Sequence, residues 1–277
     1  MASALRTLAG KCLSVAALSW LALARPSPAS AEELVKFASA ARRLYQAGEP
    51  ALRNKSDIQG YLTRPRGDGP FPAVALLHSC LGLPVDRRSI AGALASWGYV
   101  ALFVDDFTSR GIKETCAVDF AEGVPDAFGA LAFLSTLRYV DPARIGAVGY
   151  SQGADSALTI ASSRFASAFA IPVDRKFKVA AAFYPPCENQ ASVRMAIPTL
   201  ILIGALDDVT AAADCARLAS DSSEVELVVY PGAYHGFDNP DFADGKRLLG
   251  MTLKYDRNAE EQSRAALRDF LAAKLAK

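Results

Sequence analysis

The 277-residue chain lacks an excess of either charge: 30 basic residues stand against 29 acidic ones. Nucleic acid and anionic membranes are bound by clustered positive charge, so neither is expected as a partner. The chain also lacks an apolar run of the ~20 residues that a spanning helix needs. No internal repeat or low-complexity tract is visible. Histidine is scarce, at two residues, so any search for a catalytic base is short. What remains is a chain that is 51% hydrophobic, enough for one large domain with a sizeable core.

The first thirty-one residues differ from the rest. Arg6 and Lys11 precede the apolar run "CLSVAALSWLALA", and Arg25 precedes a Pro/Ser-rich stretch ending "ASA" before Glu32. A basic start, a short apolar stretch and an A-x-A end describe a secretory signal peptide, with cleavage expected after Ala31. The alternative, a membrane anchor, needs a longer run. Removal of three basic and no acidic residues takes the net charge from +1 to −2. The expected location is the periplasm or the exterior, with no membrane attachment after cleavage. Cys12 leaves with this segment, and Cys80, Cys116, Cys187 and Cys215 remain. An even count in an oxidising compartment suggests two disulfides, with three pairings possible; four free thiols are the alternative.

Residues 32–56 read as an N-terminal helical segment: "EELVKFASAARRLYQ" has helical spacing until Gly48 and Pro50 interrupt it. From residue 57 to 277 short apolar runs alternate with helical patterns. "IQGYLTRP", "FPAVALLHS", "YVALFVDD", "RIGAVGY", "KVAAAFYPP", "PTLILIGALDD" and "EVELVVYPG" read as strands. Helices are expected at "DRRSIAGALASWG", from about Val118 to Tyr139, at "QGADSALTIASSRFA", at "AAADCARLAS" and at the C-terminus. Strands apolar on both faces, separated by helices, indicate a doubly wound, mostly parallel α/β domain. Its chemistry belongs at the carboxyl ends of the strands.

There the stretch "GYSQG" stands out. It arises by chance often enough to prove nothing alone. Here, however, Ser151 falls between the strand "RIGAVGY" and a helix that begins at Gln152, the context of a nucleophile elbow. Gly149 and Gly153 are small where the tight reversal needs small residues. The helix N-terminus favours developing negative charge. His235 follows the last strand and comes after the serine, as a base should in this topology; His78 comes before it and reads as an anchor of its loop, with a direct role as the alternative. The orienting carboxylate should lie between Ser151 and His235, where "LIGALDD" ends a buried strand. Asp207 is the choice, with Asp208 as a solvated or helix-capping neighbour. The oxyanion needs two N–H donors: that of Gln152, and one from the loop "HSCLG", which nominates Cys80.

Together "LLHSCLGL", "VDDFTSRG", "GYSQG", "LIGALDD" and "YPGAYHGFD" resemble, in order and spacing, the dienelactone hydrolase family of α/β-hydrolases, over about residues 57–277. The resemblance implies an α/β-hydrolase fold without metal or organic cofactor, and the same roles for Ser151, Asp207, His235, Cys80 and Gln152. Two departures stand out. Dienelactone hydrolases proper carry cysteine as nucleophile, and they hold a substrate carboxylate with two arginines. Arg110 matches one of these and is a candidate substrate-binding residue, a surface arginine or one bonding its own loop being the alternative. Asn239 stands where the other is expected. In a fold of this kind the strands before Cys80 and Cys116 are neighbours, as are those before Cys187 and Cys215, so those pairs are expected as disulfides.

The leading expectation is an exported serine hydrolase that cleaves small ester or lactone substrates. The stretch from Ser151 to Asp207 is filled by strands and helices, leaving no room for a large cap domain. A peptidase or amidase of the same fold is the enzymatic alternative. A binding protein that keeps the fold without turnover is the non-enzymatic one, which the intact Ser, Asp and His set argues against.

Overall fold

Short apolar runs become strands in the computed structural model of the chain, which describes residues 30–40, 57–118, 120, 122–163, 176–190 and 193–275. In chain order the elements are β1 (Glu33–Ala38), β2 (Asp57–Thr63), β3 (Phe71–Leu77), α1 (Arg87–Ser96), β4 (Val100–Asp105), α2 (Gly123–Leu134), β5 (Val140–Tyr150) and α3 (Gln152–Ala161). There follow β6 (Val179–Phe183), β7 (Thr199–Gly204), α4 (Ala212–Asp221), β8 (Val225–Tyr230), a small hairpin of β9 (Lys246–Leu248) and β10 (Met251–Leu253), and α5 (Arg257–Lys274).

Strands β1 to β8 form one sheet in the order β1-β2-β4-β3-β5-β6-β7-β8. Every pair from β4 to β8 along this order is parallel, while β1 and β2 join antiparallel at one edge. The parallel strands β4, β6 and β7 are buried along their whole length. Alternate residues of each serve opposite faces. Val74, Leu76, Ala101 and Phe103 pack toward α1 and α5, whereas Ala73, Ala75, Leu77, Val100 and Leu102 pack toward α2. Each fully buried Leu or Phe contributes about 1.5–3 kcal/mol by leaving water. The chain winds from β3 outward to β4 and then crosses back to β5 on the other side. The loops after β3 and β5 therefore diverge at the carboxyl edge, and the crevice between them is where such folds place a ligand.

The structure corrects the expectation for residues 32–56. Glu33–Ala38 is an edge strand, paired with β2 from Glu33↔Leu62 to Ala38↔Asp57. Leu34, Phe37 and Ala38 have helical spacing, but Val35 and Phe37 equally have strand spacing. Pairing with the otherwise open β2 edge and burial of Phe37 against Phe133, 5.3 Å between ring centres, decide the outcome. Residues 41–56 lie outside the described residues, as do residues 1–29 of the expected signal segment. The helix expected from about Val118 to Tyr139 is shorter, spanning only Gly123–Leu134. The β9–β10 hairpin was not foreseen; its turn uses Leu249 and Gly250 at φ 50° and 86°. Among the described residues no helix is long and apolar enough to cross a membrane.

Candidate active site

Strand β5 delivers Ser151 at its carboxyl end, with φ 53° and ψ −112°, before α3 begins at Gln152. A non-glycine residue with positive φ stores about 1–3 kcal/mol of strain, which the surrounding structure must hold in place. The two glycines make the turn possible. A Cβ on Gly149 would run into the Gly153 carbonyl, and one on Gly153 into the carbonyls of Leu77 and His78. The Ser151 N–H donates to Phe183 O at 3.0 Å, which fixes the turn against β6.

The loops after β7 and β8 bring Asp207 and His235 to this serine. His235 Nε2 lies 2.9 Å from Ser151 Oγ, and His235 Nδ1 lies 2.9 Å from Asp207 Oδ2. A carboxylate only accepts, so Nδ1 carries the proton and the Nε2 lone pair faces the serine hydroxyl. Asp207 Oδ1 accepts from the amides of Val209 and Thr210, both at 2.9 Å, and its side chain is fully buried. Asp208 points elsewhere. It accepts from the Thr252 N–H at 2.8 Å and hydroxyl at 2.7 Å, bonds that hold its carboxyl below the usual range. Its structural role is thus to tether the β9–β10 hairpin rather than to cap a helix.

Ser151, His235, Cys80 and Gln152 line one cavity of ≈ 460 Å³. Among the described residues the backbone N–H groups of Cys80 and Gln152 donate to no backbone carbonyl of the turns and loops. The disulfides of the structure join Cys80 to Cys116 and Cys187 to Cys215, with Cα separations of 4.8 and 5.1 Å. His78 anchors the loop after β3. Its Nδ1 lies 2.8 Å from Ser79 O and its Nε2 2.6 Å from Asp106 Oδ1. Burial works against its charged form, but the Asp106 carboxylate, the Ser79 carbonyl and the charge of Asp105 together outweigh burial and raise its pKa. Among the described residues no group of three or more His, Cys, Asp or Glu side chains is placed to hold a metal ion.

Arg110 requires a correction. Its guanidinium meets the Asp126 carboxylate at 2.6 and 3.0 Å and donates to Asp106 O at 2.5 Å. It is absent from the cavity lining, which holds no lysine or arginine among the described residues. The reason is the buried Asp126 of α2. Burial pushes the Asp126 carboxyl up to about 6, and the paired Arg110 guanidinium works against that rise by favouring the ionised form. Sequence reasoning also missed Tyr184 and Asp238. The Tyr184 ring packs 4.5 Å from His235, and its hydroxyl donates to Asp238 Oδ1 at 2.8 Å. Burial pushes the Asp238 carboxyl up to about 6, although the Tyr184 hydroxyl favours its ionised form. The only signal for Asp238 was its place three residues after His235.

The geometry agrees with likenesses to known proteins. A family model described as dienelactone hydrolase family matches residues 58–275. An uncharacterized protein from Mycobacterium tuberculosis is 31% identical over 204 residues, covering 68% of this chain and 70% of its own. Among solved structures, a dienelactone hydrolase-like promiscuous phosphotriesterase from metagenomic libraries superposes with TM-score 0.63 at 18% identity, over 88% of this chain and 99% of its own. A thermophilic esterase from Thermogutta terrifontis, bound to propionate, gives TM-score 0.59 at 19% identity, over 81% and 92%. At these identities the two structures bear on the fold alone.

Proposed function

The chain belongs to the dienelactone hydrolase family, and from that premise we propose that it is an exported serine esterase for small, uncharged esters or lactones. Ser151 is the nucleophile, His235 the general base and Asp207 the residue that orients the imidazole and stabilises its charged form. As His235 Nε2 takes the hydroxyl proton, Ser151 Oγ bonds to the substrate carbonyl carbon. The negative charge that develops on the carbonyl oxygen falls to the amides of Cys80 and Gln152. His235 then returns the proton to the leaving alcohol, and an acyl group remains on Ser151. Water, activated by the same imidazole, releases the acid and restores the serine.

The observation that carries this reading is the continuous chain from Ser151 Oγ through His235 to Asp207, at 2.9 Å for each link, opening into the cavity. Substrate charge follows from the engaged Arg110 and the cavity lining without lysine or arginine. A substrate carboxylate would lose its hydration there and meet no lysine or arginine. Export is supported by the basic and apolar character of the first thirty-one residues and by two disulfides. The test compares kcat/KM for matched neutral and carboxylate-bearing p-nitrophenyl esters. The neutral ester should be favoured at least tenfold. Turnover of neither, or preference for the anion, would overturn the corresponding part of the proposal.

A further inference from the structure

We propose that the dipeptide Thr115–Cys116 positions both oxyanion donors, so that it sets the rate of the chemical step without bonding to any member of the triad. This rests on the esterase reading of the site. The two donors come from separate elements, Cys80 from the loop after β3 and Gln152 from the start of α3. Donors act on a transition state only when held within tenths of an ångström of the developing charge. The Gln152 side is fixed by a helix and by the strained Ser151 turn. The Cys80 side is a short surface loop, Ser79–Gly82, with Leu81 exposed and little apolar burial of its own.

What immobilises that loop is visible bond by bond. The donor amide belongs to the peptide between Ser79 and Cys80. The carbonyl of this peptide lies 2.8 Å from His78 Nδ1 and accepts from the Gly82 N–H at 3.0 Å. The next peptide is held from the other side, because Cys80 O accepts from the Thr115 N–H at 2.9 Å. The side chain of Cys80 is bonded to Cys116, the neighbour of Thr115. The Thr115 hydroxyl then reaches across and donates to Gln152 Oε1 at 2.8 Å. One dipeptide, with Thr115 buried and Cys116 half-buried, therefore grips Cys80 through its carbonyl and its sulfur, and Gln152 through its side chain. Were its purpose only to hold the fold, the hydroxyl of Thr115 would have no need to meet the residue that follows the nucleophile.

The test uses the full mature enzyme, with Thr115→Val to remove the hydroxyl at equal size, Thr115→Ser to retain it, and Cys116→Ala to open the bridge. A double Cys187→Ala/Cys215→Ala variant opens the other disulfide as a control. For p-nitrophenyl acetate, Thr115→Val should lower kcat about tenfold and Cys116→Ala up to about a hundredfold, with KM changed by less than about twofold. Thr115→Ser should restore kcat to within about threefold, and the control should lower thermal stability while leaving kcat within about threefold. Each loss in kcat should be matched by slower labelling of Ser151 by a fluorophosphonate, whose phosphoryl oxygen occupies the same donors. Full kcat in both Thr115→Val and Cys116→Ala, beside an active wild type, overturns the clamp alone. A rise in KM at constant kcat overturns it too, since that marks a substrate contact. A wild type that neither turns over esters nor labels overturns the esterase reading and the clamp with it.

Discussion

On the nucleophile side of the cavity, Ser151 is locked by a strained turn, Cys80 by a covalent bridge to Cys116, and Gln152 by the Thr115 hydroxyl. On the facing side, Asp207 and His235 sit on loops tied by hydrogen bonds: Asp207 to the amides of Val209 and Thr210, Asp208 to Thr252, and His235 O to the Lys254 amide. In the proposed mechanism the first wall holds amides and a hydroxyl still while charge builds up beside them. The second moves a proton, and the partners of its imidazole are a carboxylate and a hydroxyl. Covalent and steric restraint suits the former, and it responds to redox state. Hydrogen bonding to ionisable groups suits the latter, and it responds to pH.

The largest expected effect removes the link between the walls. Ser151→Ala or His235→Ala should lower kcat by about 10⁴-fold or more, because the residues act as a unit. Asp207→Asn should cost less than either, and Asp208→Asn no more than about threefold, since Asp208 holds only the hairpin. A larger loss from Asp208→Asn than from Asp207→Asn in steady-state kinetics would break the assignment. Next come the bridges. Sequence separations of 36 and 28 residues imply about 3–4 kcal/mol each by loop-closure entropy. Urea unfolding of the Cys187→Ala/Cys215→Ala variant should lose roughly that much stability, with its activity largely kept. Arg110→Ala should leave kcat/KM for a neutral ester within about threefold, and cost about 3 kcal/mol in the same urea experiment by stranding buried Asp126. A collapse of activity toward anionic esters alone would return Arg110 to the site.

The smallest effect is in pH. Asp238 is raised in the folded protein from about 3.8 to about 6, so the stability it confers is fully present below 3.8 and is lost as pH rises through about 6. Asp238→Asn keeps an acceptor for the Tyr184 hydroxyl and removes this loss. Its melting temperature relative to wild type should therefore rise between pH 4 and pH 7. His78, also raised, behaves in the same sense: its contribution is present below 6.5 and fades above its folded pKa. A pH above the folded pKa of His78 should thus loosen the loop that carries Cys80. A melting-temperature difference that stays flat across this range would remove Asp238 from the pH response.

How much of this was legible in the sequence depended on range. The turn at Ser151 could be read because tight reversal demands small residues two positions either side, a purely local constraint. His235 could be read because there were two histidines to choose from and one followed the last strand. The parallel core could be read from strands apolar on both faces. Arg110 was misplaced because its partner, Asp126, is set on α2 by the fold, not by local sequence. Thr115 escaped notice because its partner is 37 residues away, and Tyr184 because Asp238 is 54 away. Strand β1 was misread because Leu34, Phe37 and Ala38 fit a helix as well as a strand, and only the open β2 edge decides between them.

The serine nucleophile is tested by intact-protein mass spectrometry after incubation with a fluorophosphonate, followed by mapping of the labelled peptide. A single adduct is expected on Ser151, absent in Ser151→Ala and formed at least a hundredfold more slowly in His235→Ala. No adduct, or an adduct elsewhere together with ester hydrolysis that survives Ser151→Ala, would contradict it.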